Sequence, residues 1–317
     1  MSSRHLVCGA AGLIGFELVR QLLAEGDSVV AVDIGLKGGL ADLEALQRSS
    51  NARLQFIVAD LAAGAELPGG PFDCIFHLAA IVGVQYVSDH PYETLSVNLR
   101  STLNVIDLAL REGCAALVFA SSSENYAWGI ERGWATLPTP EDVPVGINDI
   151  AAPRWSYAAS KIAGESAVFA AAPLGNFAPI VARIHNVYGP RMGPTHVIPQ
   201  LLERCRRKAD PLTVYGAEQT RSFLYVEDAA AALRLVSSAA RGSKRGGVFN
   251  VGSADEVRIA DLARLVLETS GHHATIEPRP APPGSVARRV PDVSRLSQLG
   301  FRPSVSLAAG LRACWRR

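Results

Sequence analysis

The stretch that decides the fold is His5-Leu-Val-Cys-Gly9-Ala-Ala-Gly12-Leu-Ile-Gly15. The apolar run His5–Cys8 predicts a strand, and the apolar spacing of Leu13–Ala24 predicts a helix immediately after the glycines. Glycines between a strand and a helix allow a tight turn and a close approach of the backbone to a pyrophosphate, which the helix N-terminus can bind. A glycine triplet alone is a weak signal, because such turns also occur without a ligand. The surrounding sequence therefore has to show whether this turn binds a dinucleotide.

Outward from this turn, short apolar runs alternate with helical stretches. Strands are predicted at Ser28–Asp33, Leu54–Val58, Cys74–Leu78, Ala116–Ala120 and Ile180–Ile184, and helices at Tyr92–Arg111 and Pro153–Ala171. Strands that are apolar throughout are typical of a parallel sheet covered on both faces. The sequence therefore predicts an α/β fold with a Rossmann-type doubly wound parallel sheet and a smaller C-terminal substrate-binding lobe.

The second half of the chain has a looser pattern, which predicts the smaller lobe. We expect a cofactor domain over 1–185, returning segments from about 217–252, and a lobe formed mainly by 186–317. Further elements are predicted at Val197–Arg207, Leu212–Tyr215, Val226–Ala239, Val248–Val251, Ile259–Thr269 and Leu307–Trp315. The segment Glu277–Ser285 contains several prolines and is predicted to be a loop.

Composition limits the classes of partner. The chain has 317 residues, a formal net charge of +1 and 48% hydrophobic residues, which favours neither a nucleic acid nor a membrane as partner. No signal peptide and no apolar run of transmembrane length is recognised, so we expect a cytoplasmic protein. The five cysteines are scattered without metal-ligand spacing, and no metal site is predicted.

Asp33 gives the glycine turn its context. It ends the second predicted strand, where a carboxylate can accept hydrogen bonds from the ribose hydroxyls of a bound adenosine. The same charge would repel a 2′-phosphate, so the sequence favours NAD over NADP. Asp60 and Leu61 follow the third strand, where Asp60 either meets the adenine or caps a helix.

A second group of residues points to proton transfer. Tyr157 and Lys161 are four residues apart and lie on the same face of a predicted helix. An ammonium group beside a phenol stabilises the phenolate, so the tyrosine can act as a base. Ser121–Ser123 and Glu124 follow the strand Ala116–Ala120, and ligands bind at the carboxyl ends of strands in wound sheets.

These motifs together resemble the extended short-chain dehydrogenase/reductase family, in particular its NAD-dependent epimerase/dehydratase group, which acts on nucleotide sugars. The resemblance covers nearly the whole chain. It includes, beyond the residues above, His77–Ala80, Asn98, Arg183–Arg191, Pro211–Gly216, Gln219–Asp228 and Arg289–Asp292. These motifs are specific for the family and much less so for the reaction.

The resemblance implies a role for each matching residue. Ser122, four residues before Tyr126, corresponds to the substrate-binding catalytic serine, Tyr157 to the base, and Lys161 to its partner and a nicotinamide-ribose contact. Further expected contacts to NAD come from Gly9, Gly12, Leu13, Ile14, Gly15, Asp33, Asp60, Leu61, Leu78, Ala79, Ala80 and Asn98. Expected contacts to the nucleotide sugar come from Asn186, Arg191, Val197, Thr213, Tyr215, Arg221 and Arg289.

The reaction within the family is less defined by sequence. We expect an epimerase that works through a 4-keto sugar, acting at C4 or, with Glu124 as base, at C5. The alternatives are a dehydratase or a uronic-acid decarboxylase, because Ser123-Glu124 and Pro153-Arg-Trp resemble members of those groups. Asn125 and Ala127-Trp128 depart from the usual Val-Tyr-Gly ending, and Glu124 has a purely structural interpretation as well.

Partner and assembly follow from the same resemblance. A UDP- or dTDP-linked sugar is favoured as substrate, with a GDP-linked sugar as an alternative. A homodimer is expected through the helices Tyr92–Arg111 and Pro153–Ala171. An alternative of another class is a catalytically silent NAD-binding scaffold, against which the intact Ser122, Tyr157 and Lys161 argue.

Overall fold

The computed structural model describes residues 2–36, 38–243, 245–281 and 285–316. Its strands are β1 (Arg4–Cys8), β2 (Ser28–Asp33), β3 (Leu54–Val58), β4 (Phe72–His77), β5 (Cys114–Ser122), β6 (Ala178–Ile184), β7 (Val187–Tyr188), β8 (Leu212–Tyr215), β9 (Thr220–Ser222), β10 (Leu224–Tyr225), β11 (Gly247–Val251), β12 (Glu256–Arg258), β13 (Ile276–Arg279) and β14 (Arg288–Arg289). The predicted strands of the first half are all present, within two residues at each end.

The helices of the described chain cover both faces of the main sheet and form much of the lobe. They are α1 (Leu13–Ala24), α2 (Leu40–Ser49), α3 (Val84–Asp89), α4 (Pro91–Glu112), α5 (Ala127–Glu131), α6 (Ser156–Gly175), α7 (Val197–Arg206), α8 (Val226–Ser243), α9 (Ile259–Ser270), α10 (Ser294–Gln298) and α11 (Leu307–Trp315). Short 3-10 turns at Leu61–Ala63, Ser123–Tyr126 and Pro153–Trp155 complete the set.

The main sheet has seven parallel strands in the order β11-β6-β5-β4-β1-β2-β3. Its central strands are apolar and buried, and each fully buried leucine or phenylalanine contributes about 1.5–3 kcal/mol to stability. The carboxyl ends of β1, β4, β5 and β6 all lie at one edge of this sheet, where wound folds bind their ligands. The predicted α/β Rossmann-type fold is confirmed.

The last strand of the sheet comes from the second half of the chain. After the lobe begins, α8 returns to pack against α1, and β11 pairs in parallel with β6. Three smaller sheets, β10-β7, β12-β9-β14 and β13-β8, build the lobe beside the carboxyl edge of the main sheet. Lobe residues are thereby brought to the edge at which the glycine turn lies.

One sequence prediction differs from the structure, and several short elements were not predicted. The segment predicted as a loop at Glu277–Ser285 begins with β13, which pairs with β8; Pro278 is tolerated there because the two-stranded sheet leaves its missing N–H at an edge. Residues 282–284 of that segment lie outside the described residues. Helix α2 was not predicted, because Leu43 is its one buried side chain and its apolar periodicity is correspondingly weak.

Candidate active site

The glycine turn has the shape that a dinucleotide requires. Gly9 has a φ of +84°, and a Cβ placed on it would lie 2.6 Å from the backbone nitrogen of Ala79. A Cβ on Gly15 would lie 2.1 Å from the carbonyl oxygen of Gly9. Helix α1 begins at Leu13 without a side-chain cap, so its first N–H groups are available to an anion. These residues fit the pyrophosphate of NAD.

Asp33 is built into the same turn. Its carboxylate accepts hydrogen bonds from the backbone nitrogens of Ala11 at 2.9 Å and Gly35 at 2.8 Å. A carboxylate has about four lone-pair positions, so two remain for the ribose hydroxyls of a dinucleotide. The Asp33 carboxylate, which the sequence predicts to favour NAD over NADP, therefore lies beside the glycine turn.

Replacing Asp33 by asparagine should weaken NAD binding and reduce the preference over NADP. A hydrogen bond to a charged group contributes about 1.5–3 kcal/mol, so we expect the NAD dissociation constant to rise roughly tenfold to a hundredfold. Calorimetric titration with both dinucleotides measures the ratio. Asp89→Asn, an exposed carboxylate bonded to Gln85, controls for the change in net charge. An unchanged ratio in Asp33→Asn would exclude this role.

The predicted cofactor residues after β4 adjoin the glycine turn. The backbone nitrogen of Leu78 donates to the carbonyl of Cys8, and Ala79 limits the space at Gly9. Asn98 supports this segment from behind, because its amide bonds both backbone groups of Ile81 and the hydroxyl of Ser160. The side chain of Asn98, on α4, thereby ties the segment after β4 to α6, and its expected position along the cofactor stays a prediction.

Two other predicted binding residues, Asp60 and Arg191, have hydrogen-bond partners within the protein. Asp60 caps the turn Leu61–Ala63 by accepting from the backbone nitrogen of Ala62, which was the alternative to an adenine contact. Arg191 was predicted to bind the sugar substrate. Its guanidinium lies instead 4.2 Å from the ring centre of Phe16, bonds the carbonyl of Ala11 and pairs with Asp42. Arg191 therefore belongs to the cofactor side of the site.

Ser122, Tyr157 and Lys161 come together between β5 and α6. The Ser122 hydroxyl hydrogen-bonds to Tyr157, and the Lys161 ammonium lies 5.8 Å from the centre of the Tyr157 ring. Burial and the charge of Glu124 raise the pKa of Tyr157, while the bond to Ser122 lowers it. Burial lowers the pKa of Lys161 to about 7, and Glu165 partly offsets this. The trio predicted from sequence is assembled in the structure.

Glu124 lies on the short turn that follows β5. Its charge raises the pKa of both Tyr157 and Arg289, so the carboxylate lies within electrostatic range of both side chains. Its backbone nitrogen donates to the Ser122 hydroxyl at 3.2 Å. Ser123, also predicted to be catalytic, is buried inside the same turn with 3% of its surface exposed.

Two arginines of the lobe lie next to each other, and Arg289 is within electrostatic range of Glu124. Arg221 and Arg289 are register partners on the parallel strands β9 and β14. Burial and the neighbouring Arg289 lower the pKa of Arg221 to about 10, and burial lowers that of Arg289, with Arg154 adding to the effect. Arg221 donates to backbone carbonyls of Thr220 and Ala287 and to Gln219. Like charges held side by side fit a ligand with more than one negative charge.

The remaining predicted substrate residues lie on the lobe. Asn186 adopts a φ of +33° and donates from its amide to the carbonyl of Ser222, so its side chain holds β9. Thr213 bonds Glu277, and the half-exposed ring of Tyr215 lies 5.5 Å from the guanidinium carbon of Arg204. Val197 is half-buried at the start of α7. Thr213 and Tyr215 share β8.

A buried polar network behind the trio was not predicted as functional. Glu165 and Arg183 form an ion pair at 2.7 Å, with 9% and 6% of their side chains exposed. Asn125 and Ser121 also donate to Glu165, and Arg183 donates to Tyr126. The sequence signal for this network is the four-residue spacing of Tyr157, Lys161 and Glu165, which places Glu165 on the same helix face as the two catalytic candidates.

The Tyr126 hydroxyl extends the network toward the lobe. It donates to Asn250, whose amide donates in turn to the carbonyls of Thr139 and Asp292. His185 shares the same Asn250 oxygen, and burial lowers the pKa of His185 to about 3, so the ring is neutral. Side-chain hydrogen bonds thus connect the segment that carries Arg289 to α6, the helix that carries Tyr157 and Lys161.

Among the residues that the structure describes, histidine, cysteine and acidic side chains form no group of three or more suited to a metal ion. None of the helices described is both long and apolar enough to cross a bilayer.

A dinucleotide turn with an acidic residue after β2, joined to a serine, a tyrosine and a lysine, defines an NAD-dependent enzyme of the Rossmann class. The chain matches the model of the NAD dependent epimerase/dehydratase family over residues 5–252. It belongs to this family, whose members act on nucleotide sugars as epimerases, dehydratases and decarboxylases. The resemblance predicted from the motifs is confirmed.

Individual relatives and solved structures similar to this chain include both decarboxylases and an epimerase. The chain is 34% identical over 324 residues to UDP-N-acetyl-alpha-D-glucosaminuronate decarboxylase of Bacillus cytotoxicus, covering 98% of this chain and 96% of that one. It is 33% identical over 313 residues to UDP-glucuronic acid decarboxylase 2 of Arabidopsis thaliana, covering 97% of this chain but 66% of that protein. The crystal structure of Thermus thermophilus UDP-glucose 4-epimerase in complex with NAD superposes with a TM-score of 0.79 at 27% identity, covering 99% and 98% of the two chains.

Proposed function

We propose that the protein binds NAD and oxidises the C4 hydroxyl of a nucleotide-linked sugar, with reduction of the product in the same site. The placement of Tyr157 between Ser122 and Lys161 carries this proposal. When bound, NAD accepts the C4 hydride and later returns it, so the overall reaction consumes no oxidant. Tyr157 removes the proton of the C4 hydroxyl, while Ser122 holds the C4 oxygen by a hydrogen bond.

Lys161 keeps this proton transfer feasible near neutral pH. We propose that its ammonium, 5.8 Å from the centre of the Tyr157 ring, stabilises the phenolate against the effects of burial and of Glu124. The ammonium is itself held between aromatic rings, 4.8 Å from the centre of Phe119. His77 lies close enough to be affected by this charge; burial first, and Lys161 second, lower its pKa to about 3.

We propose decarboxylation of a nucleotide-linked hexuronate as the overall reaction. Oxidation at C4 turns the C6 carboxylate into a β-keto acid. The C5–C6 bond then breaks, carbon dioxide leaves, and the electron pair enters an enolate whose oxygen is on C4. C5 then takes up a proton that comes from solvent; Glu124, whose charge acts on both Tyr157 and Arg289, is the group proposed to accept this proton from water and pass it to C5, and return of the hydride to C4 completes the product. The similarity to two uronate decarboxylases supports this choice.

Epimerisation at C4 is the second candidate. The match to a UDP-glucose 4-epimerase structure along nearly the whole chain favours it, and so do Asn125 and Trp128 on the Glu124 turn, which depart from the usual motif. In that case the 4-keto sugar rotates and is reduced from its other face, and Glu124 has no chemical step. Epimerisation at C5 would use the same catalytic residues, with Glu124 as the base that removes the C5 proton, and the sugar would keep its C6 group.

Arg221 and Arg289 are proposed to bind the diphosphate. Replacing either by glutamine should raise KM and the inhibition constant of UDP about tenfold to a hundredfold, because each loses a charge-assisted bond of about 1.5–3 kcal/mol. We expect kcat to change much less in Arg221→Gln. Arg288→Gln is the matched control, since Arg288 pairs with Glu256 on the exposed side of the same strand. Equal effects in Arg288→Gln and Arg289→Gln would contradict the assignment.

Several finer properties complete the proposal. We favour a UDP- or dTDP-linked substrate over a GDP-linked one, with Thr213 and Tyr215 on β8 lining the base pocket. The lobe of residues 186–317 supplies these contacts to the cofactor domain of 1–185 and 217–252. A cytoplasmic location agrees with five free cysteines, four of which are buried.

We also propose a homodimer through α4 and α6. Leu103 on α4 is 50% exposed and Phe169 on α6 is 39% exposed. A second copy of the chain would cover these apolar side chains. Light scattering of the purified protein would decide. A monomer at micromolar concentration would contradict the proposal.

The reaction itself is tested by product mass. The enzyme would be incubated with NAD and a panel of UDP-, dTDP- and GDP-linked hexoses and hexuronates. A product lighter by carbon dioxide from UDP-glucuronate would support the proposal. A product of unchanged mass with a new retention time would support epimerisation, and loss of water would indicate a dehydratase.

A further inference from the structure

Two hydrogen-bonding residues lie on either side of Glu124 along the chain. Ser121 lies near the end of β5, Asn125 directly follows Glu124 in the turn Ser123–Tyr126, and both side chains donate to the same atom, Oε1 of Glu165. The distances are 2.5 Å from the Ser121 hydroxyl and 2.9 Å from the Asn125 amide nitrogen, which also donates to the Ser121 hydroxyl at 3.0 Å. The chain is therefore attached to one carboxylate on both sides of Glu124.

Glu165 belongs to the helix that carries the proposed base. It lies one turn after Lys161 and two turns after Tyr157 on α6, so the three side chains share one face. Arg183 holds the Glu165 carboxylate from β6 through both its Nε and Nη2 atoms, at 2.9 and 2.7 Å. A bidentate pair of this kind fixes orientation as well as position. The anchor of the Glu124 turn is thus rigid with respect to Tyr157.

We propose that Asn125 is a positioning residue that directs the Glu124 carboxylate, by clamping its turn to the catalytic helix through Glu165. Asn125 itself is fully buried, and its backbone oxygen accepts from Gly146, so it does not contact substrate. Its effect on the reaction passes through Glu124. The chemical role of Glu124 rests on the proposed function, whereas the clamp is a statement about the position of Glu124 alone.

Asn125→Val is the informative variant. Valine removes both donated bonds but also removes the Asn125 side-chain oxygen, which is buried without a partner in the described chain. Removing a buried unsatisfied acceptor offsets part of the lost bonding, so the variant is expected to fold. Val236→Ala, a cavity variant in α8, controls for general loss of stability, because α8 supplies no residue to the site.

The first readout needs no substrate. Tyr157 ionisation in the NAD-loaded enzyme would be followed by tyrosinate absorbance, each variant being compared with its own Tyr157→Phe form. Besides burial, Glu124 and Ser122 shift the pKa of Tyr157, the Lys161 ammonium lies 5.8 Å from the centre of its ring, and Arg289 interacts electrostatically with Glu124 and Arg154. Because the negative Glu124 raises the pKa of Tyr157, release of the turn should lower the titration midpoint. Asn125→Val should lower it as Glu124→Gln does, and the double variant should add little.

The second readout uses UDP-glucuronate in single turnovers. We expect Asn125→Val to form NADH at a rate within about threefold of wild type and to release product about tenfold to a hundredfold more slowly. Val236→Ala should show neither change. Full additivity of Asn125→Val and Glu124→Gln in the titration, or an unmoved midpoint, would overturn the clamp. If wild type leaves UDP-glucuronate unchanged, the proposed function fails, and the titration still decides the clamp.

Discussion

Replacing Tyr157 by phenylalanine is expected to reduce kcat by about a hundredfold to ten-thousandfold, the usual contribution of a positioned acid or base. The phenol is the group that takes the C4 hydroxyl proton, and phenylalanine keeps the ring while removing it. NAD should bind with nearly unchanged affinity, because the glycine turn and Asp33 are untouched. The measurement is steady-state turnover together with a calorimetric NAD titration of the same preparation.

The matched control for this variant is Tyr92→Phe. Tyr92 is 78% exposed on α4, so loss of its hydroxyl should leave both turnover and NAD binding unchanged. Lys161→Met should resemble Tyr157→Phe, because the phenolate loses its stabilising charge. Turnover of Tyr157→Phe within a few fold of wild type would contradict the assignment of the base.

Replacing Arg183 by methionine is expected to lower the free energy of unfolding by about 3–5 kcal/mol, because Glu165 is left as a buried charge without its partner. Ser121 and Asn125 would still donate to Glu165, but neither carries a charge. A loss of this size is a large fraction of the stability of a typical domain. Urea unfolding, monitored by far-ultraviolet circular dichroism, would measure it.

Two further variants distinguish this ion pair from a surface pair. Arg207→Met breaks an ion pair with Glu203 in which the two side chains are 75% and 47% exposed, so we expect a change below about 1 kcal/mol. Combining Arg183→Met with Glu165→Leu should recover part of the loss, because an apolar pair no longer buries a charge. Equal effects of Arg183→Met and Arg207→Met would contradict the structural role of the network.

The sequence predicted the parts of the site that lie on regular elements. Gly9 and Gly15 follow a strand and open a helix, and the four-residue spacing of Tyr157 and Lys161 requires one helix face, so local pattern was sufficient. The structure confirms both groupings. The spacing of the residues predicts their geometry in these cases because each motif lies within a single turn or helix.

Residues in long connections were harder to place. Arg191 follows β7 in a loop, and the packing of that loop against Phe16, far away in sequence, brings its guanidinium to the cofactor side. Asn98 was predicted from the resemblance to the family and Asp60 from its place after the third strand, and hydrogen bonds to nearby backbone groups hold both side chains. The Glu165 network was missed because its members come from α6, β6 and the turn after β5, which only the tertiary fold brings together.

The central claim is transient oxidation at C4 with return of the same hydride. UDP-glucuronate labelled with deuterium at C4 would be converted in ordinary water, and the product would be analysed by mass spectrometry and proton NMR. The account predicts a product that has lost carbon dioxide, retains deuterium at C4, carries a solvent proton at C5, and forms without net NADH. Loss of the C4 label, or NADH in amounts equal to product, would contradict it.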